Sequence, residues 1–172
     1  LIKDVGLNPT RTGILSVLKR MGGRFKIKRA PGQSAQAEPM GDILVQASFL
    51  KGAKVHSTQI PSLIDELPVL MVAACFARGR TVLEGIQELR VKETDRIDSM
   101  VAGLSAMGAD IRVVKTKNGE NIVIRGNKPL HGAVVRSFGD HRTAMSMAVA
   151  GVAAGGGTVI EDTSCVKKSF PA

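Results

Sequence analysis

Four clusters of charged residues stand where the sequence begins a helix: Asp65-Glu66, the run Arg90-Val91-Lys92-Glu93-Thr94-Asp95-Arg96, Asp140-His141-Arg142, and Lys167-Lys168-Ser169. A helix start carries unpaired N–H groups and the positive end of the helix dipole, so it attracts phosphates and carboxylates. Cations there oppose the dipole. Arg96, Arg142 and Lys168 are therefore locally unfavourable unless an anion sits among them. Asp65 and Glu93 stand among these cations, and two carboxylates in different surroundings are what general acid–base chemistry requires. Each also has a plainer reading, Asp65 as a helix cap and Glu93 as a capping or ion-pairing acid. Asp95 and Asp140 are read as caps. His141 reads either as a proton donor or anion ligand, or as a structural histidine; His56 and His131 lie in strand-like surroundings and receive no role. There is no Walker A sequence and no GxGxxG, and Gly155-Gly156-Gly157 reads as a helix-to-strand turn.

The elements that must position these residues occur twice. Ile14 to Gly23 has the spacing of an amphipathic helix closed by glycine and followed by a strand, Arg24 to Lys28; Met100 to Ala109 repeats it, followed by Asp110 to Val114. Paired strand candidates come next, Ile43 to Val45 and Leu50 to Val55, then Ile122 to Ile124 and Leu130 to Val135, with Leu-x-Gly-Ala-x-Val shared by the two copies. Each copy then reaches an Asp (Asp65 or Asp140) that opens a second helix, predicted over 66–78 and 141–153, which runs into Thr-Val-Leu-Glu or Thr-Val-Ile-Glu. A third copy begins near Cys165 and is cut off. The second helices are apolar nearly all round, which predicts that they lie in the core with amphipathic strands outside. Ala30 to Gly41, rich in Pro, Gly and small polar residues, is expected to be a mobile loop.

Composition limits what this arrangement can be. The chain has 172 residues, 44% apolar and 23% charged, which fits one globular domain and excludes global disorder or coiled coil. No apolar run reaches a membrane span, so neither a membrane nor a signal segment is expected. Two cysteines without a CxxC pair exclude zinc ribbons and thioredoxin-like sites, and fit a reducing, cytoplasmic compartment. The net charge of +9 points to anionic partners. With no Trp or Tyr and only five Phe, a base-stacking platform lacks its parts, which favours small anions over nucleic acid. The start at Leu1 and the stop just after Ser169-Phe170-Pro171 predict a fragment of a longer protein.

Leu89-Arg90-Val91-Lys92-Glu93-Thr94-Asp95-Arg96-Ile97 and Gly139-Asp140-His141-Arg142 closely resemble motifs of the 3-phosphoshikimate 1-carboxyvinyltransferase (EPSP synthase) family, as do Ile64-Asp65-Glu66-Leu67-Pro68 and Lys168-Ser169-Phe170-Pro171. The resemblance covers nearly the whole chain and is to the carboxy-terminal domain. It implies an α/β fold of repeated βαβαββ units, an inside-out, barrel-like domain with buried helices and outer sheets. Residues 1–172 would form one such domain, holding two near-complete repeats and a truncated third, with the amino-terminal domain absent. It also implies transfer of the enolpyruvyl group of phosphoenolpyruvate to the 5-hydroxyl of shikimate 3-phosphate, with release of phosphate and without a metal or organic cofactor. By motif, Asp65 resembles the acid that contacts the shikimate ring and accepts the hydroxyl proton, and Lys92 a neighbour of the substrate hydroxyls. Glu93 resembles the group that protonates the methylene carbon and later removes that proton. Arg96, Arg142 and Lys168 resemble the cations that hold phosphoenolpyruvate, and Asp140 and His141 border the site. With half of the active site missing, the fragment alone is expected to be inactive and to leave apolar surface open. Two alternatives accompany this reading: the related UDP-N-acetylglucosamine enolpyruvyltransferase, and a non-catalytic anion- or nucleic-acid-binding module.

Overall fold

A computed structural model describes residues 1–29 and 37–171. Its elements run β1 (Ile2–Gly6), α1 (Gly13–Arg20), β2 (Arg24–Arg29), β3 (Met40–Gln46), β4 (Lys54–Val55), α2 (Leu67–Phe76), β5 (Arg80–Leu83), α3 (Arg96–Ala106), β6 (Asp110–Thr116), β7 (Gly119–Arg125), β8 (Val134–Arg136), α4 (His141–Ala153) and β9 (Val159–Glu161). Short 3-10 turns cover Ser57–Ser62, Ile64–Glu66, Gln87–Val91 and Thr163–Lys168. Among the described residues three sheets result, with strand orders β1-β3-β2, β4-β5-β7-β6 and β8-β9. From β4 to β7 the order is βαβαββ; a β-α-β-β run precedes it and a β-α-β run follows it. The expected loop Ala30 to Gly41 lies mostly outside the described residues, and its end, Met40-Gly41, is the start of β3.

The repeat seen in the sequence is a repeat of hydrogen bonds. β4 pairs with β5 in parallel, Val55 opposite Leu83, as β8 pairs with β9, Val135 opposite Ile160. Before each pair the chain makes matching crossings: Lys51 N–H to Met21 O and His131 N–H to Met107 O, then Gly52 N–H to Arg78 O and Gly132 N–H to Gly155 O. The shared glycine of Leu-x-Gly-Ala-x-Val now has a cause. A Cβ on Gly52 would stand 2.2 Å from Arg80 O, and one on Gly132 would stand 2.0 Å from Gly157 O, so only glycine lets the two backbones approach. These close bridges replace most of the longer strands expected at Leu50 to Val55 and Leu130 to Val135. The turn after each pair also matches: Gly85 and Asp162 occupy equivalent places and both have left-handed backbones, φ 67° and 60°.

Helices lie inside and sheets outside. Leu67, Leu70, Met71, Val72, Ala74 and Cys75 of α2 are buried, and α2 packs against α3, α4 and β7. Burial in this apolar setting pushes the Cys75 thiol up to about 12, so it stays protonated. The inward residues of the four-stranded sheet, Leu83, Ile111, Ile122 and Ile124, close the same core. α4 departs from expectation. It buries Ala144, Met147 and Ala150 but leaves Met145, Val149 and Val152 on an open face, Val152 being 91% exposed. The reason is positional: α4 touches α2, α3, β9 and the turn Thr163–Lys168, and no described element lies over its remaining side. Truncation in the two regions should therefore differ. Met71→Ala is expected to destabilise by about 2–5 kcal/mol and Val152→Ser to stay within about 0.5 kcal/mol, as read from urea unfolding midpoints.

Candidate active site

Three helix starts lie close together, and two of their carboxylates cap a helix while the third does not. Asp95 caps α3, its Oδ1 accepting the N–H groups of Ile97 and Asp98 at 3.1 Å each. Asp140 caps α4, its Oδ1 accepting from Arg142 N at 2.7 Å and Thr143 N at 3.1 Å. Both follow the sequence reading. Asp65 does not cap. It lies within the 3-10 turn Ile64–Glu66, and Glu66, at the cap position of α2, makes no side-chain cap bond. Pro68 in the first turn of α2 has no N–H to satisfy, which leaves the Asp65 carboxylate for other partners.

Those partners are guanidinium groups. Arg96, 1% exposed, donates from Nε to Asp140 Oδ2 at 2.7 Å and from Nη2 to Glu93 Oε2, while its Nη1 faces Asp65 Oδ1 at 3.7 Å. Nη1 is buried and has no hydrogen-bond acceptor among the described residues. Arg142 reaches Asp65 from α4, with Nη2 3.2 Å from Oδ2 and Nη1 donating to the Asp65 carbonyl at 3.1 Å. A third cation, Arg11, donates to Asp65 Oδ2 at 2.9 Å. Beside them opens a cleft of about 230 Å³ lined by Asp65, Glu66, Val69, Arg142, Met145, Ser146 and Val149. Burial and the neighbouring Asp65 charge raise the pKa of Glu66, with Arg142 and Arg11 opposing.

The run Arg90 to Arg96 is clamped at both ends. Arg90 donates to Asp95 Oδ2 at 2.6 Å, to Asp98 Oδ1 at 3.1 Å, and through Nε to Glu120 on β7. These bonds hold the Arg90 guanidinium charged and the Glu120 carboxyl below its usual range. Lys92 and Glu93 lie between the clamps, Lys92 with its Nζ 3.7 Å from Glu88 and Glu93 half-exposed on Arg96. The structure thus brings together Asp65, Glu93, Arg96, Asp140 and Arg142. His141 opens α4 half-buried. Lys168 stands apart, exposed at the end of the turn Thr163–Lys168, with no ion pair to the cluster among the described residues. Arg11 was missed; the signal for it was one more cation just ahead of a helix, inside an Asn-Pro turn. No three His, Cys, Asp or Glu side chains among the described residues gather to hold a metal ion.

The family model for EPSP synthase (3-phosphoshikimate 1-carboxyvinyltransferase) matches residues 1–172. The chain belongs to the EPSP synthase family. A 3-phosphoshikimate 1-carboxyvinyltransferase of Geobacter sulfurreducens is 48% identical over 171 residues, 99% of this chain and 38% of the relative. One of Desulforudis audaxviator is 50% identical over the same share of each. The solved EPSP synthase of Acinetobacter baumannii superposes with a TM-score of 0.85 at 42% identity, covering 97% of this chain and 38% of the other. The enolpyruvyl transferase NikO of Streptomyces tendae, at 18% identity and a TM-score of 0.62, shares the fold. The chain therefore spans about 38% of the length of these EPSP synthase relatives.

In this member of the EPSP synthase family the Arg96–Asp140 pair is the most deeply buried ion pair among the described residues, with side chains 1% and 0% exposed. Removing one partner strands the other's charge away from water. Arg96→Met is expected to destabilise by about 3–5 kcal/mol, and Arg96→Met with Asp140→Asn to regain part of that loss. Denaturant unfolding of the set checks the coupling.

Proposed function

We propose that the chain supplies one wall of the active site of a 3-phosphoshikimate 1-carboxyvinyltransferase, moving the enolpyruvyl group of phosphoenolpyruvate to the 5-hydroxyl of shikimate 3-phosphate with release of phosphate. One observation carries the reading. The buried guanidinium of Arg96 bonds Glu93 and faces Asp65, two acids of opposite assignment, and its Nη1 has no hydrogen-bond acceptor among the described residues. Such a donor suits an anion arriving from the cleft, and the family membership supports which anion it is.

The proposed steps use this chain's residues as follows. Arg96 and Arg142 take the carboxylate and phosphate of phosphoenolpyruvate, joined by Lys168 from its surface turn. An anion seated on Arg96 takes the place of Glu93 on the guanidinium. Glu93 then delivers a proton to the methylene carbon, the adjacent carbon becomes oxocarbenium-like, and the 5-hydroxyl oxygen bonds to it as Asp65 accepts the hydroxyl proton. The carbon–oxygen bond to phosphate breaks with its electrons leaving on phosphate, Glu93 removes a methyl proton to restore the double bond, and the proton released by Asp65 balances the one the departing phosphate gains. Fixed guanidiniums offset the substrate charge without reorganising during the reaction. Lys92 neighbours the acceptor hydroxyls, and Asp140 and His141 border the site. The remaining contacts belong to an amino-terminal domain of the full-length protein, and the reaction takes place in the cytoplasm. No helix among the described residues is long and apolar enough to cross a membrane.

Phosphate release from phosphoenolpyruvate plus shikimate 3-phosphate tests this reading, with the fragment alone, the remainder of the full-length protein alone, and the two mixed. Activity is expected in the mixture only. In the full-length protein, Glu93→Gln and Asp65→Asn should each lower kcat by about 10²–10⁴-fold. Release with UDP-N-acetylglucosamine in place of shikimate 3-phosphate would move the reading to the related transferase. An inactive but folded full-length protein would favour an anion-binding module.

A further inference from the structure

Asp65 is held on its outer side by a residue that the motif reading did not single out. Arg11 Nη2 donates to Asp65 Oδ2 at 2.9 Å across 54 residues of sequence, sharing that oxygen with Arg142 Nη2 at 3.2 Å. The loop that carries Arg11 is built for the purpose. Asn8 Oδ1 accepts both the N–H and the hydroxyl of Thr10, at 2.9 and 2.7 Å, and the Asn8 carbonyl accepts Arg11 N–H at 2.9 Å and the Thr12 hydroxyl at 3.1 Å. Pro9 fixes the backbone inside this Asx turn. The next residue docks the loop beside Asp65: a Cβ on Gly13 would stand 2.3 Å from Ser62 Oγ and 2.8 Å from Ser62 O, so the start of α1 lies flush on the turn that leads to Asp65.

The Arg11 side chain is 62% exposed, and a long exposed cation held in one pose adds little to stability. Its effect falls on the carboxylate. Oδ2 is occupied by two guanidiniums, whereas Oδ1 makes no hydrogen bond among the described residues and faces the unpartnered Nη1 of Arg96. We propose that Arg11 is a positioning residue for the transfer reaction: by fixing Oδ2, it leaves Oδ1 as the oxygen presented to the acceptor hydroxyl. This rests on the assignment of Asp65 as the proton acceptor. Arg142 reaches Asp65 from α4, and Arg11 reaches it from the loop before α1, so the carboxylate is braced from two separate elements.

The test uses the full-length protein with Arg11→Ala, Arg11→Lys, Asn8→Ala and Asp65→Asn. Arg11→Ala is expected to lower kcat about tenfold while the KM for phosphoenolpyruvate stays within about twofold, since a misdirected base affects the chemical step more than anion binding. Arg11→Lys should recover a large part of kcat, and Asn8→Ala should show a smaller loss of the same kind. If Arg11→Ala melts without cooperativity, Arg11→Gln carries the same comparison. A kcat for Arg11→Ala within twofold of the parent, with Asp65→Asn disabled, overturns the inference and leaves the Asp65 assignment standing. A rise in the KM for phosphoenolpyruvate that matches or exceeds the fall in kcat also overturns it, since Arg11 would then be an anion-binding cation. An Asp65→Asn protein with normal kcat instead removes the assignment on which the inference rests.

Discussion

A guanidinium taken out of water must find acceptors for its N–H groups, because leaving an ion uncompensated in the interior costs several kcal/mol. Arg96 meets most of this demand with carboxylates from separate parts of the chain, Asp140 on Nε and Glu93 on Nη2, while Asp65 lies 3.7 Å from Nη1 and offsets its charge without a hydrogen bond. The solution works because each capping Asp has two oxygens. Oδ1 of Asp140 satisfies the start of α4 and Oδ2 satisfies Arg96; Oδ1 of Asp95 satisfies the start of α3 and Oδ2 satisfies Arg90. Two helix starts are thereby tied to two arginines, and the start of α4 cannot shift away from Arg96 without stranding a buried charge.

The internal repeat explains why the helix starts are near one another at all. Matching strand crossings set α2 and α4 in equivalent places, and both pack against α3. Chemistry then depends on where the copies differ. The second copy places its Asp at the cap position, and its charge is absorbed by the helix and Arg96. The first copy places Pro68 in the opening turn and shifts Asp65 into a 3-10 turn, which removes the cap and leaves a carboxylate aimed at cations. One architecture thus yields an acid that caps a helix and an acid left to pair with arginines, the second being the one we propose as the proton acceptor.

Much of this was legible in the sequence because the signals are local. Apolar periodicity located α1 and α3, continuous apolar runs located α2 and α4, and Asp95 and Asp140 were read as caps from their position alone. What was not legible depends on contacts distant in sequence. Arg11 lies 54 residues from Asp65, and nothing in its own neighbourhood names that partner. Asp65 looked like a cap because the sequence does not show a 3-10 turn intervening before α2. The uniform apolarity of α4 predicted burial all round, but periodicity reports only what a helix can bury, and the open stripe Met145, Val149, Val152 depends on what surrounds it. Lys168 belongs to the motif set by sequence and lies outside the ion-pair cluster by geometry.

The left-handed turn shared by Gly85 and Asp162 shows how a duplicated fold changes its surface without moving its strands. Glycine enters that backbone well freely, and Asp is among the few other residues that tolerate it. At the first site the turn offers an N–H, which bonds Asn121 Oδ1 at 3.1 Å. At the second the same dihedral carries a carboxylate, 3.3 Å from Arg136. A conformation that disfavours most side chains thus acts as a narrow gate on divergence: it holds the path of the chain constant while the two copies differ there between a neutral turn and an acidic one.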